Sequence, residues 1–470
     1  MPLTILTGTQ LRSLLLSLSR DEILGLQHNL SEALREYSTG NQDQGCSSTY
    51  QPRRTAITRK DGSTTIFMPA STGNTMGIKI ISLQDGGKAG AATEEESSVR
   101  GKEEGKVTLP IGSFLKPSDS SVESSAASAT SDRSRRLSSV SSQDNSNTPY
   151  VSVNEQTVPP GLSDTLGAWP GPGARDTSPR GTVTLLDSSS IPFALINAQE
   201  LTAFRTALAA TMLFSKREHV RTVTVFGAGK QAYWHIRLAL LLRGSEIKHV
   251  YIINRSFDRV AGLLKDIYAP ENAEWRSNVK FSAVSSDFVE YERLLKESVR
   301  KADAIFCCTP ATEPLFPADY LTSTEGRKKG RFVSAIGSYK PHMTELHPDI
   351  LRDEVGMLHH HHHHHHKHAK RGGVVVVDSL DSCLKEAGEI IQAELKPQQL
   401  VEVGELIMVR EASRLAIEQG GEGEKGLREW LECGNVIYKS VGLGLMDIVT
   451  GGDLVQLARD RGVGTTVEDF

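Results

Sequence analysis

The chain has 470 residues, 38% of them hydrophobic, and sets 53 lysines and arginines against 57 aspartates and glutamates for a formal net charge of −4. That supplies apolar material for about two or three domains and excludes a global basic field for nucleic acid or anionic lipid. Cys46, Cys307, Cys308, Cys383 and Cys433 show no CxxC spacing, so reduced thiols are expected, and no apolar run reaches the roughly 18 residues of a membrane helix. The expectation is a cytoplasmic protein with neither nucleic acid nor membrane as partner.

Residues 21–38 place Ile23, Leu26, Leu30, Leu34 and Tyr37 at helical spacing, which predicts an amphipathic helix. RTAITRKDGSTTIFMPA alternates around Asp61-Gly62 and reads as a β-hairpin. GIKIISL (77–83) and GTVTLLD (181–187) are strand-like and flank residues 84–180, a stretch of Ser, Gly, Pro and charge with few large apolar side chains. Such a segment cannot offset its ordering entropy by burial, so it is expected to be a disordered surface insertion between two strands of one sheet. After PFALIN, the run AQELTAFRTALAATMLFSKRE predicts a helix rich in Ala, Leu and Met. From TVTVF onward, strands HVYIINR, VKFSAV, DAIFCCT, RFVSAIG and GGVVVVDS alternate with helical segments, the pattern of an α/β doubly wound parallel sheet. A second low-complexity stretch, 358–373, contains eight consecutive histidines from His359 to His366. Without fixed geometry it is a poor specific site, and no metal is expected.

Within TVTVFGAGKQAYWHIRLA, Gly227, Ala228, Gly229, Gln231 and Ala232 follow a β-branched strand and open a helix, as a dinucleotide fold requires. The first glycine permits the tight turn, the second lets the backbone approach a pyrophosphate, and the small Ala232 lets helix and strand pack closely. The helix N-terminus then offers unpaired N–H groups to phosphate. The next strand ends in Asn254, Arg255 and Ser256, with no carboxylate to repel a 2′-phosphate. NADP(H) is therefore expected over NAD(H), though NAD(H) stays possible.

These stretches, with QPRRTAI, MPA, GIKII, LTAFRTALAA, CCTPATEP, IGSYKPHMTELHPDIL, VVVVDS and IYKSVGLGLMD, resemble the ornithine cyclodeaminase/mu-crystallin family in order and content from the N-terminal helix to about residue 460. The resemblance implies a Rossmann dinucleotide-binding domain over 217–440, carrying the 358–373 insertion. It also implies an α+β substrate and dimerisation domain assembled from 1–83, 181–216 and the C-terminal return 441–470, and hence a homodimer. It assigns Arg54 and Arg205 to the substrate carboxylate, Lys79 to catalysis, Thr206, Gln231, Thr309 and Ser440 to the cofactor, and Asp447 as a possible acid near the nicotinamide. Pattern alone gives a different reading of Lys79: flanked by Ile78 and Ile80, it looks like an outward-facing strand residue. By pattern Asp447 is equally a helix-start carboxylate.

Tyr339 stands where cyclodeaminases of the family carry an aspartate, and a phenol is a poor base at neutral pH. With the Asn-Arg-Ser ending, this points to the mu-crystallin branch, whose members resemble NADPH-dependent ketimine reductases acting on the imine of a 2-oxo acid. Two alternatives stay open: an ornithine-type cyclodeaminase or amino-acid dehydrogenase using NAD, and a non-enzymatic dinucleotide-binding protein. Arg135 and Arg136 ahead of Ser138 also resemble a site for basophilic kinases.

Overall fold

The computed structural model describes residues 2–40, 46–73, 75–84, 151–152, 179–276, 278–356, 372–419 and 423–469, which belong to one compact unit. The strands in chain order are β1 (Leu3–Leu6), β2 (Thr55–Thr58), β3 (Ser63–Ser71), β4 (Met76–Gln84), β5 (Val151–Ser152), β6 (Arg180–Leu186), β7 (Pro192–Asn197) and β8 (Thr222–Phe226). They continue with β9 (His249–Asn254), β10 (Lys280–Ser285), β11 (Ala304–Cys307), β12 (Phe332–Ala335), β13 (Val375–Val377), β14 (Leu400–Glu402), β15 (Val436–Lys439) and β16 (Thr465–Val467).

Two sheets result. The first is mixed, in the order β16-β1-β7-β6-β4-β3-β2. Its hairpin turns where the sequence predicts, with Gly62 at φ +80° and the Asp61 carboxylate accepting the Ser63 amide at 2.9 Å. β4 and β6 pair antiparallel, Lys79 opposite Val183, so the strands flanking 84–180 are direct neighbours.

The second sheet runs β14-β13-β15-β12-β11-β8-β9-β10-β5 and is parallel except for β5. This is the doubly wound α/β arrangement. β5 corrects the expectation for 84–180. Val151 and Ser152 pair antiparallel with Ala283 and Ser282 of β10, whose outer edge otherwise presents unpaired amides and carbonyls. Gln84 and Arg180 likewise already belong to strands. Residues 85–150 and 153–178, with Ser138, lie outside the described residues, as do 357–371 with the histidine run.

The helices α1 (Gly8–Leu16), α2 (Arg20–Thr39) and α3 (Ala198–Phe214) lie with the first sheet, and α4 (Lys230–Arg243) and α5 (Phe257–Tyr268) follow β8 and β9. In α2, Ile23, Leu26, Leu30, Leu34 and Tyr37 are all buried, and Ser19 and Glu22 form a capping box at its start. α3 is apolar around its whole circumference and is accordingly buried along almost all its length, packed on α2, α4 and β6. Phe204 meets Trp234 edge-on at 5.2 Å, which fixes α3 against α4. The helix Gly444–Asp460 returns from β15 to pack on β3, β4 and β6. Among the described residues, no helix is long and apolar enough to cross a membrane.

Candidate active site

A cavity of about 200 Å³ gathers residues from both sheets. β4 supplies Lys79, Ile81 and Leu83, which point the same way because side chains alternate along a strand. The outward orientation that pattern alone gives Lys79 is thus reversed: it is 1% exposed. Its ammonium lies 3.0 and 3.1 Å from the two carboxylate oxygens of Asp447, which is fully buried in the first turn of the helix Gly444–Asp460. Asp447 therefore sits at a helix start and also faces Lys79. Burial pushes the Lys79 ammonium down to about 8, against the opposing pull of Asp447, and the neighbouring Arg205 lowers it further.

Arg205, carried by α3 and 4% exposed, donates through Nε to Asp447 Oδ1 at 3.2 Å. Arg54 enters from the segment before β2 and donates through Nε to Glu386 Oε1 at 2.8 Å, with a second contact between Nη2 and Oε2. Burial lowers the Arg54 guanidinium. Lys79, Arg54 and Arg205 line one cavity, each with a carboxylate partner.

The opposite wall is the glycine turn. Gly227 has φ +108°, and a Cβ there would lie 2.8 Å from the Cys308 carbonyl oxygen, so both backbone angle and space demand glycine. A Cβ on Gly229 would meet nothing within 4 Å, and this residue starts α4 with no side-chain cap. With room at Gly229 and no side chain capping the helix, the N-terminus of α4 can take a phosphate. Ala228 and Ala232 are buried behind the turn. Gly229, Gln231 and Thr206 line the cavity; the Thr206 hydroxyl donates to the Thr202 carbonyl at 2.7 Å, and the Gln231 amide reaches the same oxygen at 3.4 Å.

Thr309, Tyr339 and Ser440 also line the cavity. The Ser440 hydroxyl donates to buried Asp378 at 2.6 Å, and Asp378 also accepts the Gly442 amide at 2.7 Å, so this acid shapes the turn beside Arg205. Asn254, Arg255 and Ser256 are not part of the cavity wall; they lie at the C-terminal end of β9, one strand beyond the glycine turn. Asn254 donates to the Ser256 carbonyl at 3.0 Å, Ser256 caps α5, and Arg255 is exposed.

Sequence reasoning missed Glu386, Asp378 and Glu345. Asp378 lies in VVVVDS and Glu345 in IGSYKPHMTELHPDIL, stretches that carry the resemblance, and Glu386 ends the helix Leu380–Glu386 just beyond; a single acidic residue leaves no periodic signal, and the partners that give each its place come from tertiary pairing. Among the described residues, no group of three or more His, Cys, Asp or Glu side chains could hold a metal ion.

A glycine turn between β8 and α4 of a parallel sheet, set against a second sheet that supplies a buried lysine, defines a two-domain protein of the Rossmann class. The chain belongs to the ornithine cyclodeaminase/mu-crystallin family, whose profile matches residues 175–418. It is 28% identical over 285 residues to an uncharacterised protein of Saccharomyces cerevisiae, covering 55% of this chain and 69% of that one. It is also 28% identical over 291 residues to a Delta(1)-pyrroline-2-carboxylate reductase of Bacillus cereus, covering 61% and 74%. In fold it is similar to the Thermococcus litoralis Delta(1)-pyrroline-2-carboxylate reductase, solved in complex with NADH and L-proline, with a TM-score of 0.59, 16% identity and coverage of 99% and 100%.

Proposed function

We propose that the protein reduces the imine of a 2-oxo acid with NADPH, and that small cyclic imino acids are its substrate class. The observation that carries this reading is the buried Lys79, flanked by Arg54 and Arg205 in one cavity with the glycine turn. The naming of several relatives as pyrroline-2-carboxylate reductases supports the substrate class. So do the apolar cavity residues Ile66, Met68, Ile81, Leu83 and Ile336, which suit a compact ring without a second charge.

The residues fit a dinucleotide. Gly227 and Gly229 with the first turn of α4 would hold the pyrophosphate, and Arg255 with Ser256 and Asn254 would hold the 2′-phosphate. When bound, the cofactor supplies the hydride for the C=N carbon. The protein's own residues do the rest. Arg54 and Arg205 orient the substrate carboxylate, and Lys79 donates the proton that the nitrogen takes up on becoming an amine. Tyr339 in place of an aspartate weighs against a cyclodeaminase, since no carboxylate then stands at that position to take the proton of a substrate amine.

The test is a panel of cyclic and acyclic imines of 2-oxo acids followed by NADPH absorbance. Turnover of pyrroline- or piperideine-type carboxylates is expected. Ammonia release from a diamino acid with catalytic NAD⁺, and no imine reduction, would overturn the reading.

A further inference from the structure

Two segments that line the cavity, the one leaving β11 at Thr309 and the one leaving β12 at Gly337, are held together by a buried side chain belonging to neither. Glu345 accepts the Thr309 amide at 2.6 Å and its hydroxyl at 3.0 Å through Oε1, and the Gly337 amide at 2.6 Å through Oε2. There is no slack between the two segments, because a Cβ on Gly337 would lie 1.9 Å from the Thr309 carbonyl oxygen. Behind Glu345, the buried Glu389 accepts the Glu345 amide at 2.7 Å and the Ser338 hydroxyl. Lys439 lies 3.3 Å from Glu389 and donates to the Ser338 carbonyl at 2.6 Å. The segment so fixed abuts the glycine turn, since the Cys308 carbonyl is the atom that forbids a side chain on Gly227.

We propose that Glu345 is a positioning residue for the dinucleotide: as a carboxylate it ties the segments leaving β11 and β12 into one wall beside the glycine turn. This rests on the dinucleotide reading given above. Both oxygens accept from N–H groups, so a proton on either removes an acceptor and releases one segment. The groups facing it are Lys439 on β15, Glu389 on the helix Gly388–Gln392, and the thiols of Cys307 and Cys308. Burial, with Glu389 adding to it, pushes the Glu345 carboxyl up to about 7, while Lys439 and the two amides oppose the rise.

A carboxyl whose folded-state pKa is raised makes the native protein bind a proton that the unfolded chain has lost, so its contribution to stability declines as pH rises from the usual 4.5 toward 7. Dinucleotide affinity moves the other way, increasing as the clamp ionises. A merely structural carboxylate changes stability with pH and leaves affinity alone.

The experiment titrates the full chain, wild type, E345Q and E345D, with NADH across neutral pH by nucleotide fluorescence, with NADPH in parallel because its 2′-phosphate itself titrates near about pH 6. Wild-type affinity for NADH is expected to tighten roughly tenfold between about pH 6 and pH 8, as one charge-assisted hydrogen bond is regained. E345Q presents an N–H where an acceptor is needed, so it binds roughly tenfold more weakly at about pH 8 and shows no slope; E345D restores the slope. Wild-type affinity and slope in folded E345Q overturn the proposal. If E345Q does not fold, a flat wild-type profile for NADH overturns it without the variant. Wild type that binds neither dinucleotide at any pH refutes the functional reading itself.

Discussion

Replacing Lys79 with methionine separates the chemistry of the site from its stability. The lysine holds both oxygens of Asp447, at 3.0 and 3.1 Å, in surroundings where neither residue is more than 1% exposed. Breaking a buried pair from one side costs about 3–5 kcal/mol, because the other charge is left behind. Here Asp447 keeps Arg205 at 3.2 Å. Burial outweighs the pull of Asp447 on this ammonium, so deleting it also removes a net desolvation penalty that offsets much of that loss. K79M is therefore expected to melt within a few degrees of wild type while kcat for imine reduction drops by about 10²–10⁴, the range of general acid catalysis. The same lysine sets the pH dependence. It carries its proton below its lowered pKa and loses it above, so the wild-type rate should decline as pH rises through about 8, and the residual K79M rate should not. The assays are a thermal melt and NADPH absorbance at saturating substrate. A K79M enzyme within tenfold of wild type, or one whose rate still declines through that pH, refutes the role of Lys79 as proton donor.

Arg255→Asp should weaken NADPH far more than NADH, read by fluorescence titration; an unchanged ratio of the two dissociation constants rules out a 2′-phosphate contact. Arg205→Ala should lower kcat/KM by removing a carboxylate contact and leaving Asp447 to Lys79 alone, and an unaltered value sinks the clamp. Gly227→Ala, forced to φ +108° with its Cβ 2.8 Å from the Cys308 carbonyl, should lower stability by about 1–3 kcal/mol and abolish dinucleotide binding, checked by denaturant titration and fluorescence. Joining Gln84 to Arg180 by a short Gly/Ser turn should keep the fold and dinucleotide binding, because β4 and β6 already pair directly and closure entropy changes slowly with loop length, although it also removes β5 and bares the outer edge of β10. Soluble product that no longer binds a dinucleotide would show that the excised residues support the site.

The parts of the fold that could be read from sequence are those where a period repeats. The apolar spacing of α2, the alternation around Asp61-Gly62, and the strand and helix sequence from β8 to β13 each carry several residues of one signal. β14, a three-residue strand at the edge of the second sheet, and β15, a four-residue strand inside it, are too short for either period to show. The site divides in the same way. The glycine turn is a local motif whose geometry follows from residue type. Lys79 is the opposite case, since its neighbours give it an exposed look and only the packing of the helix Gly444–Asp460, 368 residues away, turns it inward. Glu345 and Glu386 depend equally on tertiary pairing, and their single letters in the chain say nothing of partners.

The pairing of Arg54 with Glu386 has an electrostatic consequence. Each cation lining the cavity already has a carboxylate against it: Glu386 for Arg54, Asp447 for both Arg205 and Lys79, and Glu200 for Lys230, while the buried Asp378 pulls on Arg54 as well. The enclosure is therefore close to neutral before anything enters. An acid that docks on Arg54 has to compete with Glu386 for the guanidinium, so geometry weighs as much as charge in what the cavity accepts. When Lys79 gives up its proton the balance tips toward negative, and an anion is met less favourably in alkali.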